Sequence, residues 1–474
     1  MRQRILFTLL SLLLTTRLCG AAITAATIWE VRPNTGDNTF GACFDSTIAN
    51  AGTDYSQQAT AQLALTDIAI TTTAVTSTTG GFTAAMIGNC LRLNTTGTGA
   101  HCVLGWYQVT AFTSSTAVTI DRDATTGGAG VACSGKVGGA TKSLSGQTTT
   151  ALSSSGGAVA GNKVWIKNET WAENATLNGN NTVTWEGYNA TRGDAPTGAT
   201  RPHNNTNVNG AALTISSSNN VLKSLWFSVT AGANNGITDS GLTTTYSAVR
   251  SSGNTAAGFA LSGTNFVCLG CEADTNTTSG FALTGAGLIV GSYVHGNTTT
   301  GITTSQTLRV VDSIIAANLS HGIDVSASVV LELVNNTING NTGATTDGLN
   351  LEVTNTFLVG SLVLNNIFSN NGRDGVRVVS APAASTAQGW VDYNDYSGNG
   401  GVARTNFPTG AHDVTTNPTY TNSGSGDFSI GTPLRNLGFP GTFPASTSVG
   451  HLDVGAVQSG AGSITQGACH RTVQ

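Results

Sequence analysis

Asp324, Asn350, Glu352 and Arg377 are the residues of this 474-residue chain whose types and spacing could do chemistry. Each stands two or four positions after one of three glycines, Gly322, Gly348 and Gly375. If those glycines mark equivalent points on stacked strands, which lie about 4.8 Å apart, the four side chains share one outward patch. Asp347, Arg373 and Asp374 fall in the adjoining corners. A carboxylate pair beside an arginine can bind a cation or a sugar acid, or serve as acid and base. Asp324, Glu352 and Arg377 are therefore the catalytic candidates, and Asn350, Arg373 and Asp374 the ligand-binding ones. The competing reading is a solvated ion-pair surface that keeps a face soluble and is worth little energetically. His295 and His321 lack metal-ligand spacing, so no metal site is expected.

The elements that must position these residues announce themselves in a longer glycine series: Gly236, Gly258, Gly280, Gly301, Gly322, Gly348 and Gly375. Each is followed by an apolar residue, and Asn254, Asn276, Asn297, Asn318 and Asn371 stand four residues before five of them. A repeat of this length suits one coil of a β-solenoid, in which inward side chains are buried only by stacking on the next coil. The first and third residues after each glycine are expected to point inward, and the second and fourth outward. A second inward set is read before the asparagines, as in Val290/Val294 and Val311/Ile315. The asparagines should stack as a hydrogen-bonded ladder. The glycines are expected to supply a left-handed backbone after the turn.

Only 9% of residues are charged, while 39% are hydrophobic and recur in register, which separates the chain from disordered sequences. The opening MRQRILFTLLSLLLTTRLCGAA has a basic start, an apolar stretch and small residues after it, so 1–22 reads as a secretory signal peptide. Without Arg2, Arg4 and Arg17 the 20 basic residues become 17 against 25 acidic ones, a net charge of −8. No basic patch with interleaved aromatics occurs, which argues against a nucleic-acid partner, and no insertion into a membrane is expected after signal cleavage. The expected location is extracellular. Export permits disulfides. Cys90 and Cys102 flank a plausible hairpin turn and are the disulfide candidates, with Cys43–Cys133 a second pairing; Cys268-Leu-Gly-Cys271 has redox-motif spacing inside a repeat strand.

The domain reading is a β-rich module over 23–140, a solenoid over 141–405, and a cap and tail over 406–474 that end the stack. LVNNTINGNTGATTDGLNLEV and LVLNNIFSNNGRDGVRVV resemble the repeat unit of right-handed parallel β-helix proteins of the pectate-lyase-like superfold, over about 160 to 405. NPTYTNSGSGDFSIGTPLRNLG with HLDVGAVQ is similar to the closing segment of secreted bacterial β-helix proteins. The resemblance implies an all-β fold, a right-handed parallel β-helix behind a small β-rich N-terminal module. The polygalacturonase pattern is missing, since no Asp-Asp pair and no Gly-His-Gly occurs, and Lys223 is the last lysine.

The function expected from these observations is a secreted, non-catalytic β-helix that binds carbohydrate or another extracellular surface, in the manner of an adhesin. The alternative is a polysaccharide lyase or glycoside hydrolase acting on an acidic polysaccharide. No cofactor is expected, with Ca²⁺ reserved for the lyase reading. The partner is a polysaccharide or cell-surface glycan.

Overall fold

The computed structural model describes residues 23–144, 157–179, 181–352, 360–379, 389–440 and 451–458. They form two compact units, one built on Thr35–Lys142 and the other on the chain from Lys163 onward together with Val31–Asn34. The expected signal peptide and Cys469 lie outside the described residues. No helix among the described residues is long and apolar enough to cross a membrane.

The first unit is a closed barrel. Its strands run, in order around the barrel, Leu63–Thr71, Ala74–Ser77, Ala117–Ile120, Gly105–Ser114, Cys90–Leu93 and Gly130–Val137. Along Leu63–Thr71 an irregularity between Leu65 and Ile68 shifts the alternation, so that Leu65, Ile68 and Ile70 all point inward to meet Val75, Leu91 and Val109. Two disulfides join Cys43 to Cys90 and Cys102 to Cys133. Cys90 and Cys102 are thus both bridged, but not to each other. In the hairpin that follows Cys90 the residue opposite it is Gln108, while Cys102 still lies in the connecting loop, across from Thr125. The Cys43–Cys133 pairing is overturned as well, since each of the two is bonded to another cysteine.

The second unit is a parallel β-solenoid of about nine turns. Each coil contributes three short strands to three sheets, as in Gly287–Val290, Tyr293–His295 and Ile302–Thr304. The first sheet runs from Lys163–Lys167 to Trp390–Asp392. The second runs from Thr170–Trp171 to Asp395–Ser397 and the third from Ala175–Leu177 to Arg404–Thr405, with ten strands each. The core is a set of like-on-like stacks, for example Phe259 on Phe281 with ring centroids 4.5 Å apart.

The turn between the second and third sheets carries the asparagine ladder. Asn254, Asn276, Asn297 and Asn318 each donate from Nδ2 to Oδ1 of the next, at 2.7–2.9 Å, and the chain continues through Asn341 and Asn371 to Asn399. Each Oδ1 also accepts the backbone N–H of the preceding asparagine, as Asn318 does from Asn297 at 3.1 Å. A second ladder, absent from the sequence reading, lines the turn between the first and second sheets. There the N–H of Cys271 donates to Ser292 Oγ, that of Ser292 to Ser313 Oγ, and that of Ser313 to Asn336 Oδ1. Cys271 is therefore a ladder member. Both it and Cys268 are fully buried, and burial raises the Cys268 thiol far above its ordinary pKa.

The glycine series is needed for space, not for conformation. None of its members has a positive φ; that conformation falls instead on the residue before each ladder asparagine, including Thr275, Gly296 and Ala317 at 53°, 62° and 54°. A Cβ on Gly301 would lie 2.6 Å from the carbonyl oxygen of Gly322 in the next coil. The side-chain assignment before the asparagines also changes. Val294 and Ile315 are buried as expected, but Val290 and Val311 point outward and are half-buried, with Ile289 and Val310 facing the core.

The described part of the cap does more than end the stack. It folds back along the outer face of the second sheet, where Phe428, Ala456 and Val457 cover Ile314 and Ala316, and Ile430, Leu434 and Val454 cover Ile367. Beneath it, Asp395 accepts hydrogen bonds from Ser397 Oγ and the Thr416 N–H, both at 2.8 Å. Burial outweighs these bonds and pushes the carboxyl up from 3.8 to about 7. Folded protein then holds a proton that the unfolded chain has released, so this group's contribution falls as pH rises from about 4 to about 7. Asp395→Asn should flatten that slope. Denaturation midpoints compared across pH 4 to 8 check it, and an unchanged slope would count against the assignment.

Candidate functional site

The third sheet brings the sequence candidates together in register. Thr303, Asp324, Asn350, Arg377 and Thr405 stack in adjacent strands, each opposite the next. Asn350 Nδ2 donates to Asp324 Oδ1 at 2.8 Å. Asn350 is only 4% exposed, although its position is outward, and its Oδ1 is buried with no hydrogen-bond partner among the described residues. Such an orphaned acceptor costs about 1–3 kcal/mol. Glu352 lies past the end of its strand and is exposed.

The corner residues are engaged with one another. Asp347 is fully buried and accepts two bonds from Arg373, from Nε at 2.8 Å and from the terminal nitrogen at 2.5 Å, plus the Asp374 N–H at 3.1 Å. The hydrogen bond to Asp347 raises the Arg373 pKa above its ordinary value. Asp374, 3% exposed, accepts from the Val402 N–H at 3.1 Å and Thr405 Oγ1 at 2.6 Å, with Arg377 at 3.5 Å. His321 Nδ1 accepts the Asp347 N–H at 2.9 Å. Arg373 and Asp374 therefore hold the corner in shape, Asn350 is buried and fixes Asp324, and Asp324, Glu352 and Arg377 remain as the groups open to an approaching ligand. Asp347 and Asp374 are committed to ion pairs and backbone amides, which leaves Asp324 and Glu352 as the candidate carboxylates of this patch.

A second polar cluster, unread in the sequence, lies on the second sheet. Glu272, Asp274 and His295 offer ligand atoms within 4.8 Å of one another, the one group of three with that property among the described residues. Two arginines already neutralise it. Arg250 grips Asp274 from Nε at 2.9 Å and from its terminal nitrogen at 2.8 Å, and Arg201 reaches Glu272 at 3.3 Å. Burial alone would raise Glu272, but His295, Arg250 and Arg201 hold its carboxyl below the ordinary value. A hard cation such as Ca²⁺ wants six to eight oxygens, so this set does not fit it. Trp226 is occupied on both faces, by His203 stacked at 3.7 Å and by the Arg250 guanidinium at 4.5 Å, which leaves no face for a sugar. Burial, then the Arg250 charge, pushes His203 down to about 4, so it stacks as a neutral ring.

With three parallel sheets stacked coil on coil, the architecture is decided. The chain is a parallel β-helix. No protein-family model and no curated protein sequence matches it. Solved structures with the β-helix fold do. The pectate lyase Pel9A is 13% identical, with 63% of this chain and 88% of that one covered and a TM-score of 0.46. The Dettilon tailspike protein gp208 is also 13% identical, covering 52% of this chain and 62% of its own, with a TM-score of 0.35. The A-module of the mannuronan C-5 epimerase AlgE6 from Azotobacter vinelandii is 13% identical over 54% of this chain and 89% of its own, at a TM-score of 0.31. At such identity these likenesses describe the fold alone.

The sequence reading found the third-sheet patch because glycine-relative position translates directly into strand register. It missed the second-sheet cluster because Arg201 comes from a loop inserted between coils. That partner stands 71 residues from Glu272.

Proposed function

We propose that this β-helix is an extracellular carbohydrate-binding protein that works without catalysis, and that the third-sheet patch is its contact surface. The observation that carries the reading is the register that stacks Asp324, Asn350 and Arg377 on adjacent strands, with Asp324 and Arg377 partly exposed. Asn350 Nδ2 fixes Asp324, whose carboxylate can accept from a sugar hydroxyl, and Arg377 would give charge-assisted bonds to a hydroxyl or a uronate carboxylate. Secretion of the mature chain, after removal of 1–22, belongs to the same proposal.

The test is retention of the purified protein on immobilised acidic and neutral polysaccharides, run beside a depolymerisation assay that follows reducing ends and unsaturated products. Expected are retention on an acidic polymer, no product, and binding weakened roughly tenfold or more by Asn350→Ala and by Arg377→Ala. Product formation that Glu352→Ala or Arg377→Ala abolishes would replace this reading with the lyase or hydrolase. Retention that both variants leave intact would move the contact surface elsewhere.

A further inference from the structure

The first sheet carries apolar residues on its outward face as well as its inward one. Its outward ladder reads Val267, Leu288, Arg309, Glu332, Leu362 and Trp390 on six adjacent strands. Beside it a second outward ladder carries Leu269, Val290, Val311, Val334, Leu364 and Asp392. Strands that are apolar on both faces are the mark of a sheet covered on both sides. Leu269 is 37% exposed and Trp390 53%, with Phe439 packed edge-on against Trp390 at 5.5 Å; Leu364 and Asp392 are buried, and the others in the two ladders are half-buried or exposed. The second sheet shows what this fold does with outward apolar residues: the cap covers Ile314, Ala316 and Ile367. Among the described residues nothing comparable lies over Val267, Leu288, Val290 or Val311.

The order of the ladder points to the occupant. Arg309 and Glu332 are adjacent at its centre, ion-paired at 2.6 Å, with two apolar residues on either side. The ladder is thus palindromic in polarity, and its centre is antisymmetric in charge. A two-fold axis lying in the face, perpendicular to the solenoid axis and passing between Arg309 and Glu332, sets each Arg309 opposite the other copy's Glu332. The same operation sets Leu288 against Leu362, Val267 against Trp390 and Val311 against Val334, and in the outer part of the second ladder Val290 against Leu364 and Leu269 against Asp392. An isologous interface demands this self-complementarity, whereas a polysaccharide or a lipid surface does not.

We infer that the outward face of the first sheet is a homodimer interface, in which two copies pack antiparallel and face to face through coils 267 to 390. Six strands at about 4.8 Å spacing make a stripe about 24 Å long. That is small for an interface, so association is expected to depend on concentration and not to be obligate.

Light scattering and sedimentation equilibrium of the mature protein, up to about 0.5 mM, would show a mass rising from one chain to two. Arg309→Glu and Glu332→Arg each place like charges across the axis, and each should weaken association at least tenfold. Mixing the two single variants should restore it, because every cross-interface pair is then opposite in sign while each chain's own pair is still mismatched. Leu288→Asp should abolish association. Thermal midpoints of all variants confirm that each is folded. A wild-type protein that stays monomeric throughout, single variants that dimerise as the parent does, or a mixture no better than its components would each overturn the inference.

Discussion

Asn318→Ala is expected to be among the most destabilising single-residue truncations in the solenoid, costing about 2–5 kcal/mol. Asn318 Oδ1 accepts both the side-chain and the backbone N–H of Asn297, at 2.8 and 3.1 Å, while its own Nδ2 donates to Asn341 Oδ1 at 2.9 Å. Alanine orphans two donors in a turn where Asn297, Asn318 and Asn341 are all fully buried. Each orphaned donor costs about 1–3 kcal/mol, because the desolvation already suffered is no longer offset. The effect should not stay local, since every coil of a solenoid rests on its neighbours. Denaturant unfolding of Asn318→Ala beside the exposed control Leu319→Ala measures it. A loss no greater than the control's would mean that the ladder sets the register of the coils without stabilising them.

The ladder also shows how much of this fold was legible in the sequence. Five asparagines were visible because they stand four residues before a glycine. Asn341 was hidden because the coil after it carries extra residues before Gly348, and Asn399 because the equivalent position four residues on is Ala403, not a glycine. The Cys271, Ser292, Ser313 and Asn336 ladder mixes three residue types, so no letter recurs for the eye to follow; only the hydrogen bond is conserved along the stack. Register between coils translated faithfully into space, which is why Asp324, Asn350 and Arg377 do line up. What spacing could not reveal is commitment: that Asp347 and Asp374 are buried under their own arginines and amides depends on corner geometry. Nor could it separate Val290 from Ile289, since in a strand apolar on both faces alternation carries no information about which side is in.

Gly301→Ala is expected to cost about 3 kcal/mol or more, and Gly296→Ala, five residues earlier, about 1 kcal/mol. The two glycines exist for different reasons. A Cβ on Gly301 would meet the Gly322 carbonyl oxygen at 2.6 Å, Ile315 Cγ2 at 2.7 Å and Asn318 Nδ2 at 2.9 Å. The carbonyl accepts the Ile302 N–H at 3.0 Å, so it cannot retreat without opening the sheet. Gly296 has a left-handed φ of 62° but open space, with its nearest neighbour, Thr275 Cγ2, 4.0 Å from the Cβ position. Alanine there suffers only the intrinsic left-handed penalty, and the next coil already tolerates it, because Ala317 sits in the equivalent place with φ of 54°. The same logic predicts a gain for the reverse change: Ala317→Gly should be neutral or mildly stabilising. Unfolding midpoints of the three variants decide between the two explanations of the glycine repeat. Equal losses for Gly301→Ala and Gly296→Ala would mean that backbone conformation, and not the approach of the next coil, is what the recurring glycines serve.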